Sequence, residues 1–321
     1  MENTTVRYSN KELRQFWFGA YSFDETEDGY LQAFQYSKPQ MEYFRKTFDF
    51  WYDRCMASSA KTLEFITEAR KVSFEYRIIW EGSQDSVEAA VNGLIADIRY
   101  VKDLDKEGTI EFDFPEGKKQ AVIYLPADAT ILIRNLVSDA PLSRPCKNEK
   151  VLWLGDSITQ GYGPLRSSGT YVSVANRLLN YDIVNQGIGG YIFDKGSLMK
   201  MDGYTPEKVI VALGTNQYGT ESMKAVEDYF ETLRSLYDSQ IPILCITPLW
   251  RGDHPDEIPT LVRFCDRLKE IAGSYDHVTV VDGFNLVPHL PEYYLDNLHP
   301  NGLGAEVYGR NLVEEIRKLG F

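Results

Sequence analysis

From residue 150 onward, short apolar runs alternate with segments whose apolar residues recur at helical spacing. Residues 151–154 (Val-Leu-Trp-Leu) are apolar throughout and run into the polar turn Gly155-Asp156-Ser157. That pattern reads as a strand buried on both faces. Further strands are predicted at 181–184, 208–213, 241–247 and 278–281. Helices are predicted at 171–179, 221–237, 259–272 and 304–319, each with one apolar face, such as Leu261, Val262, Cys265, Leu268 and Ile271. Strands alternating with helices imply a parallel sheet covered on both sides, with the flavodoxin-like strand order 2-1-3-4-5.

The chain before residue 148 has a different rhythm. Segments 29–36, 63–66, 71–80, 86–101, 109–114, 119–125 and 130–137 are rich in β-branched and aromatic residues. Gly108, Pro115-Glu116-Gly117 and Pro126-Ala127-Asp128 punctuate them as turns. Alternation within 71–80 is rough, so its register is open. The pattern predicts an all-β sandwich or jelly roll. The aromatics Tyr43, Phe44, Phe48, Phe50, Trp51 and Tyr52 are expected in its core, with a sugar-stacking surface as the other reading. Residues 138–150, with Pro141 and Pro145, read as a linker. The expected organisation is an accessory β domain at 1–147 and an α/β domain at 148–321.

Composition narrows the function. With 321 residues the chain suits two domains, and 43% hydrophobic with 25% charged residues is ordinary for a globular protein. The formal net charge of -13 disfavours nucleic acid and anionic membranes as partners. No apolar run approaches the ~18 residues of a membrane span. The start, Met1 to Thr5, carries no basic or apolar leader pattern, so a cytoplasmic protein is expected. Cys55, Cys146, Cys245 and Cys265 are widely spaced, which fits reduced thiols. Oligomeric state is not legible.

Four blocks stand at strand ends or in loops: Gly155-Asp156-Ser157-Ile158-Thr159, Asn185-Gln186-Gly187-Ile188-Gly189-Gly190, Gly214-Thr215-Asn216, and Asp296-Asn297-Leu298-His299. The first three follow parallel strands and so emerge at one sheet edge. Acyl transfer needs what they carry. A serine hydroxyl needs an adjacent base, and histidine suits that role. Asp296, three residues before His299, could orient the ring and stabilise its cation. Glycine amides and the Asn216 amide could bind an oxyanion. His254, His277 and His289 have no comparable partner nearby in sequence. Trp250 and Arg251, after the fourth strand, are candidates for a substrate-binding wall, with a braced surface loop as the competing reading.

These blocks resemble those of the SGNH (GDSL-type) hydrolases. The resemblance covers roughly residues 150 to 321 and implies Ser157 as nucleophile, with His299 and Asp296 as base and acid. It implies an oxyanion hole from Ser157, Gly190 and Asn216, with Gly189 as the alternative to Gly190. One departure is Gln217, where many members have aspartate. The first domain is similar in architecture to the jelly roll preceding some carbohydrate acetylesterases of family two. No Gly-x-Ser-x-Gly, His-Glu-x-x-His or P-loop pattern occurs, so no metal or nucleotide cofactor is expected. The expected activity is a serine esterase removing small acyl groups, foremost acetyl, from a hydroxylated and carbohydrate-like substrate. An acyltransferase, a lysophospholipase or thioesterase, and a non-catalytic carbohydrate-binding protein are the alternatives.

Overall fold

The computed structural model describes residues 5–83 and 85–321. The α/β half contains a five-stranded parallel sheet: β1 (Lys150–Gly155), β2 (Asp182–Gly187), β3 (Lys208–Ala212), β4 (Ile243–Ile246) and β5 (Val278–Val281). Its spatial order is β2-β1-β3-β4-β5, the 2-1-3-4-5 arrangement expected from the sequence. Successive residues of β1 face opposite sides. Leu152 and Leu154 pack with the helices Lys224–Leu236 and Ile258–Gly273. Val151 and Trp153 pack with the helices Tyr171–Leu179 and Gly302–Leu319. Every residue of 151–154 is therefore buried, which is why the run is continuously apolar.

The helix boundaries follow local chemistry. Thr170 caps Tyr171–Leu179 through the Ser173 amide, and Asn180 ends it in the left-handed region at φ 55°. Asn301 caps Gly302–Leu319, and Gly320 ends it at φ 67°.

The N-terminal half holds two antiparallel six-stranded sheets. One runs Ser22–Glu25, Leu31–Phe34, Thr130–Ser138, Lys71–Trp80, Glu107–Asp113, with Val6–Arg7 also on Thr130–Ser138. The other runs Leu142–Ser143, Thr62–Thr67, Lys119–Tyr124, Ser86–Val91, Leu94–Tyr100, with Trp17–Phe18 on Thr62–Thr67. From Thr62 to Ser143 the chain changes sheet at each connection except the 86–100 hairpin, a jelly-roll habit. That hairpin turns at Asn92-Gly93, both at positive φ. Strand 71–80 alternates cleanly, with Val72, Phe74, Tyr76 and Ile78 inward. A register shift between Thr130 and Ile131 leaves Ile79 unpaired and exposed, which blurs the pattern in sequence.

Two features differ from the sequence expectation. The N-terminal half is not all β: it includes helices Asn10–Phe16, Lys38–Thr47 and Asp49–Cys55. Ser9 with Glu12, and Ser37 with Gln40, form capping boxes that start the first two. That Ser-x-x-Glu/Gln spacing is the local signal for them. Secondly, the aromatics of 43–52 lie outside the sandwich core. Phe44, Tyr43, Trp51 and Tyr52 pack with the parallel-sheet core, while Phe48 and Phe50 are exposed.

Segment 138–150 is held in place. Leu142–Ser143 pairs with Thr62–Thr67, and Lys147 Nζ meets the buried Glu64 carboxylate at 2.6 Å. Buried hydrogen bonds cross between the halves, including Gln40 Nε2 to Ser197 O at 3.1 Å and Ser168 Oγ to Glu88 Oε2 at 2.7 Å. Among the described residues no helix is long and apolar enough to cross a membrane.

Candidate active site

The turn after β1 opens a four-residue helix, Ser157–Gln160. Asp156 caps it by accepting the Ile158 amide at 3.0 Å. Ser157 is therefore the first residue of a helix that begins at the sheet's carboxyl edge. Two glycines let the helix pack this closely. A Cβ on Gly155 would lie 2.1 Å from Thr159 Oγ1, and one on Gly187 would lie 2.4 Å from the Gln160 amide nitrogen. Asn185 secures the contact, its Nδ2 donating to Thr159 O at 2.7 Å.

His299 reaches this serine from the loop before the last helix. Its Nε2 stands 2.8 Å from Ser157 Oγ, and its Nδ1 stands 2.8 Å from Asp296 Oδ2. The other carboxylate oxygen of Asp296 accepts the His299 amide at 2.8 Å and the Leu298 amide at 3.1 Å. Burial raises the Asp296 carboxyl, but these His299 and Leu298 contacts outweigh it and hold the group below its ordinary range. The loop is tight: Asn297 takes φ 62°, and Leu295 N donates to His299 O at 2.8 Å. Tyr162 packs its ring against the imidazole, with centroids 4.7 Å apart and planes at 80°.

The glycine block divides its amides. Gly189 N donates to Gln160 Oε1 at 2.7 Å, so it already has an acceptor. The amides of Ser157 and Gly190 have no hydrogen-bond acceptor among the described residues. Asn216 is exposed after β3, and its Nδ2 donates to Tyr191 O at 2.9 Å, which leaves the second amide hydrogen for a ligand. Gln217, at the position of the sequence departure, accepts the Phe193 amide at 2.6 Å. These two side chains tie the Gly-Thr-Asn loop to the segment after the glycines.

Arg251 and Trp250 are placed as braces. Arg251 bonds both carboxylate oxygens of Asp253, at 3.0 and 2.5 Å, and Thr215 O at 2.9 Å. Only 11% of its side chain is exposed. Trp250 stacks on His289 with centroids 5.6 Å apart and packs on Tyr294. Gly252 N, beside them, donates to Asn297 O at 2.8 Å and so joins this loop to the Asp296–His299 loop. The structure thus gives both residues the bracing contacts of the competing reading.

Several neighbours of the site come from elements that sequence reasoning did not connect with it. Gln160 Nε2 donates to Asp128 Oδ1 at 2.5 Å, and Ser59 Oγ donates to Gln160 O at 2.6 Å; both partners belong to the N-terminal half. Phe50 and Arg54, on the helix Asp49–Cys55, lie against Gly190 and Gly189 respectively. No periodicity or spacing signals such contacts, because they cross long stretches of chain. Burial raises the Asp156 carboxyl to about 7, against the opposing pull of the Ile158 amide, Thr215 and Arg251. Among the described residues no His, Cys, Asp and Glu cluster is arranged to hold a metal ion.

Comparison with known proteins bears on family and fold. Residues 153–307 match the sequence model of the GDSL-like Lipase/Acylhydrolase family. No curated protein sequence matches the chain. Among solved structures, the chain is similar to a salicylyl-acyltransferase from a tetracycline biosynthetic pathway, with 17% identity, 98% of each chain covered and a TM-score of 0.77. It is similar to an acetyl xylan esterase from the rumen bacterium Butyrivibrio proteoclasticus, with 16% identity, 99% of each chain covered and a TM-score of 0.66. A family two carbohydrate esterase from Cellvibrio japonicus matches at 16% identity over 98% of each chain, with a TM-score of 0.68. At such identities the likeness is one of fold. The chain thus carries a GDSL-like lipase/acylhydrolase domain at residues 153–307, behind an N-terminal β domain in the two-part architecture of family two carbohydrate esterases.

Proposed function

We propose that the protein is a serine esterase that removes small acyl groups, acetyl foremost, from a hydroxylated, carbohydrate-type substrate through an acyl-enzyme. The observation that carries this reading is the pair of 2.8 Å contacts linking Ser157 Oγ to His299 and His299 to Asp296. In that geometry His299 Nε2 takes the hydroxyl proton as Ser157 Oγ attacks the ester carbonyl carbon. Asp296 keeps the Nδ1 hydrogen directed at its carboxylate and stabilises the imidazolium. The amides of Ser157 and Gly190 and the free hydrogen of Asn216 face the developing oxyanion. The tetrahedral intermediate collapses, the C–O bond to the leaving alcohol breaks, and His299 returns the proton to that alcohol. Water then attacks the acyl-enzyme by the same route and releases the carboxylic acid and Ser157.

The carbohydrate assignment rests on the shared architecture with enzymes named for acetyl xylan and carbohydrate esters. Transfer to an alcohol other than water would use the same residues, and one fold relative is named as an acyltransferase. Excess acceptor alcohol with product analysis separates the two outcomes.

The test is acetate release from an aryl acetate and from acetylated oligosaccharides. Ser157→Ala should lower kcat/KM by about a thousandfold or more. Retention of most of the rate by that variant would overturn the mechanism.

A further inference from the structure

Beside the glycine loop lies a positive charge that pairs with no carboxylate among the described residues. Arg54 projects from the helix Asp49–Cys55, and its stem runs against Gly189. The place a Cβ would occupy on Gly189 is 3.0 Å from Arg54 Cδ and 3.2 Å from its Nε. The guanidinium carbon lies 3.5 Å from the centre of the Phe50 ring and 5.2 Å from that of Trp80. Phe50 in turn approaches Gly190, 3.5 Å from the corresponding Cβ position.

The charge is held in place and left open. Among the described residues no carboxylate comes within 4.0 Å of it, and its N–H groups have no hydrogen-bond acceptor. Asp128 is near enough for the charge to lower its carboxyl slightly against the larger upward effect of burial. That carboxylate already accepts Gln160 Nε2 at 2.5 Å and the Ser83 amide at 2.9 Å. A guanidinium presents five donors in a rigid plane suited to a carboxylate, and an aromatic face fixes that plane. Phe50 is 37% exposed and stacks on Phe48, which is 52% exposed, with centroids 5.7 Å apart. An exposed phenylalanine against the cation, with a second stacked on it, makes a surface complementary to a ring that carries a carboxylate.

We propose that Arg54, with Phe50 and Trp80, forms a carboxylate-binding subsite beside the glycine loop, selecting esters that carry an anionic group close to the scissile carbonyl. The proposal rests on the esterase reading and narrows its substrate to acidic esters, such as an acylated sugar acid. The carboxylate could lie on the alcohol or on the acyl side, and the two sources are separable. Arg54 is a specificity residue in this scheme; the proton transfers stay with Ser157 and His299.

The test compares three aryl esters: methyl 4-acetoxybenzoate (neutral), 4-acetoxybenzoate (carboxylate on the leaving group), and the hemisuccinate of methyl 4-hydroxybenzoate (carboxylate on the acyl group). The full-length enzyme should favour one charged ester over the neutral one by about tenfold in kcat/KM, and added salt should shrink the preference. Arg54→Gln should bring the ratio close to one, and Arg54→Lys should restore part of it. A wild-type ratio near one, or a ratio that Arg54→Gln leaves unchanged, overturns the subsite. Binding of 4-hydroxybenzoate (carboxylate on the alcohol side) and of monomethyl succinate (carboxylate on the acyl side), measured by calorimetry on Ser157→Ala with and without Arg54→Gln, reads the subsite without turnover. There a fivefold or greater weakening for the ligand matching the preferred ester supports the proposal, and equal binding of both ligands overturns it. Loss of hydrolysis of all three esters with that binding difference intact would count against the esterase reading alone.

Discussion

Gln160 Oε1 accepts the Gly189 amide at 2.7 Å while its Nε2 donates to Asp128 Oδ1 at 2.5 Å. All three residues are buried, and Asp128 stands in the N-terminal β domain. One side chain therefore couples the helix Ser157–Gln160, the glycine loop and the other half of the molecule. It also separates the two candidate glycines, because the Gly189 amide has an acceptor and the Gly190 amide has none among the described residues.

That bridge gives a first prediction. Gln160→Leu, close in volume, deletes both hydrogen bonds and leaves two buried polar groups without partners, at about 1–3 kcal/mol each. Stability in urea should fall by that order. The loosened glycine loop should lower kcat by about tenfold or more with KM little changed. A variant that is less stable but keeps its kcat would show that the bridge serves folding alone.

Asn216 supports a second. Its amide is steadied by Tyr191 O, and its loop by Gln217 and Arg251. Asn216→Ala should reduce kcat by about 10²–10³-fold, the usual effect of removing one oxyanion donor at about 2.7–4 kcal/mol. Gln217→Ala, which only releases the Phe193 amide, should cost far less. Steady-state kinetics on an aryl acetate decide, and a loss below about fivefold would take Asn216 out of the oxyanion hole.

A third prediction concerns pH. Burial raises the carboxyls of Asp156 and Asp85 from 3.8 to about 7. Between those values the folded chain binds more protons than the unfolded one, so these groups make stability fall as pH rises from about 4 to 7. Burial lowers Lys61 from 10.5 to about 7, which has the opposite sign and makes stability rise above pH 7. Asp156→Asn keeps an acceptor for the Ile158 amide and removes one acidic contribution. Its decline in unfolding free energy between pH 4.5 and 7 should be smaller than that of the wild type by about 1 kcal/mol or more. Parallel urea-unfolding curves for the two proteins would show that Asp156 is ionised across that range.

Much of this arrangement is legible in sequence where the information is local. Alternation of apolar runs with helical periodicity yields the parallel sheet and its order. Ser157, Gly190 and Asn216 follow β1, β2 and β3, and parallel strands share a carboxyl edge, so their proximity follows from connectivity. The Asp296 and His299 spacing is likewise local. The helices at 10–16 and 38–47 were also encoded locally, in the pairs Ser9 with Glu12 and Ser37 with Gln40, but the aromatic crowding after them hides the signal.

The sequence by itself therefore determines the layers, the strand order and the candidate residues at strand ends, because strand and helix periods record which face of each element is buried. Tertiary structure alone decides what surrounds Ser157. It directs Arg251 toward Asp253 and Thr215, stacks Trp250 on His289, and gives Gln160 to Gly189. It also carries Phe50 and Arg54 to the glycine loop, and Asp128 to Gln160, from elements far away in the chain. The physical reason is that such contacts depend on how buried polar groups find partners once the helices and sheets have packed, and no short-range pattern encodes that pairing.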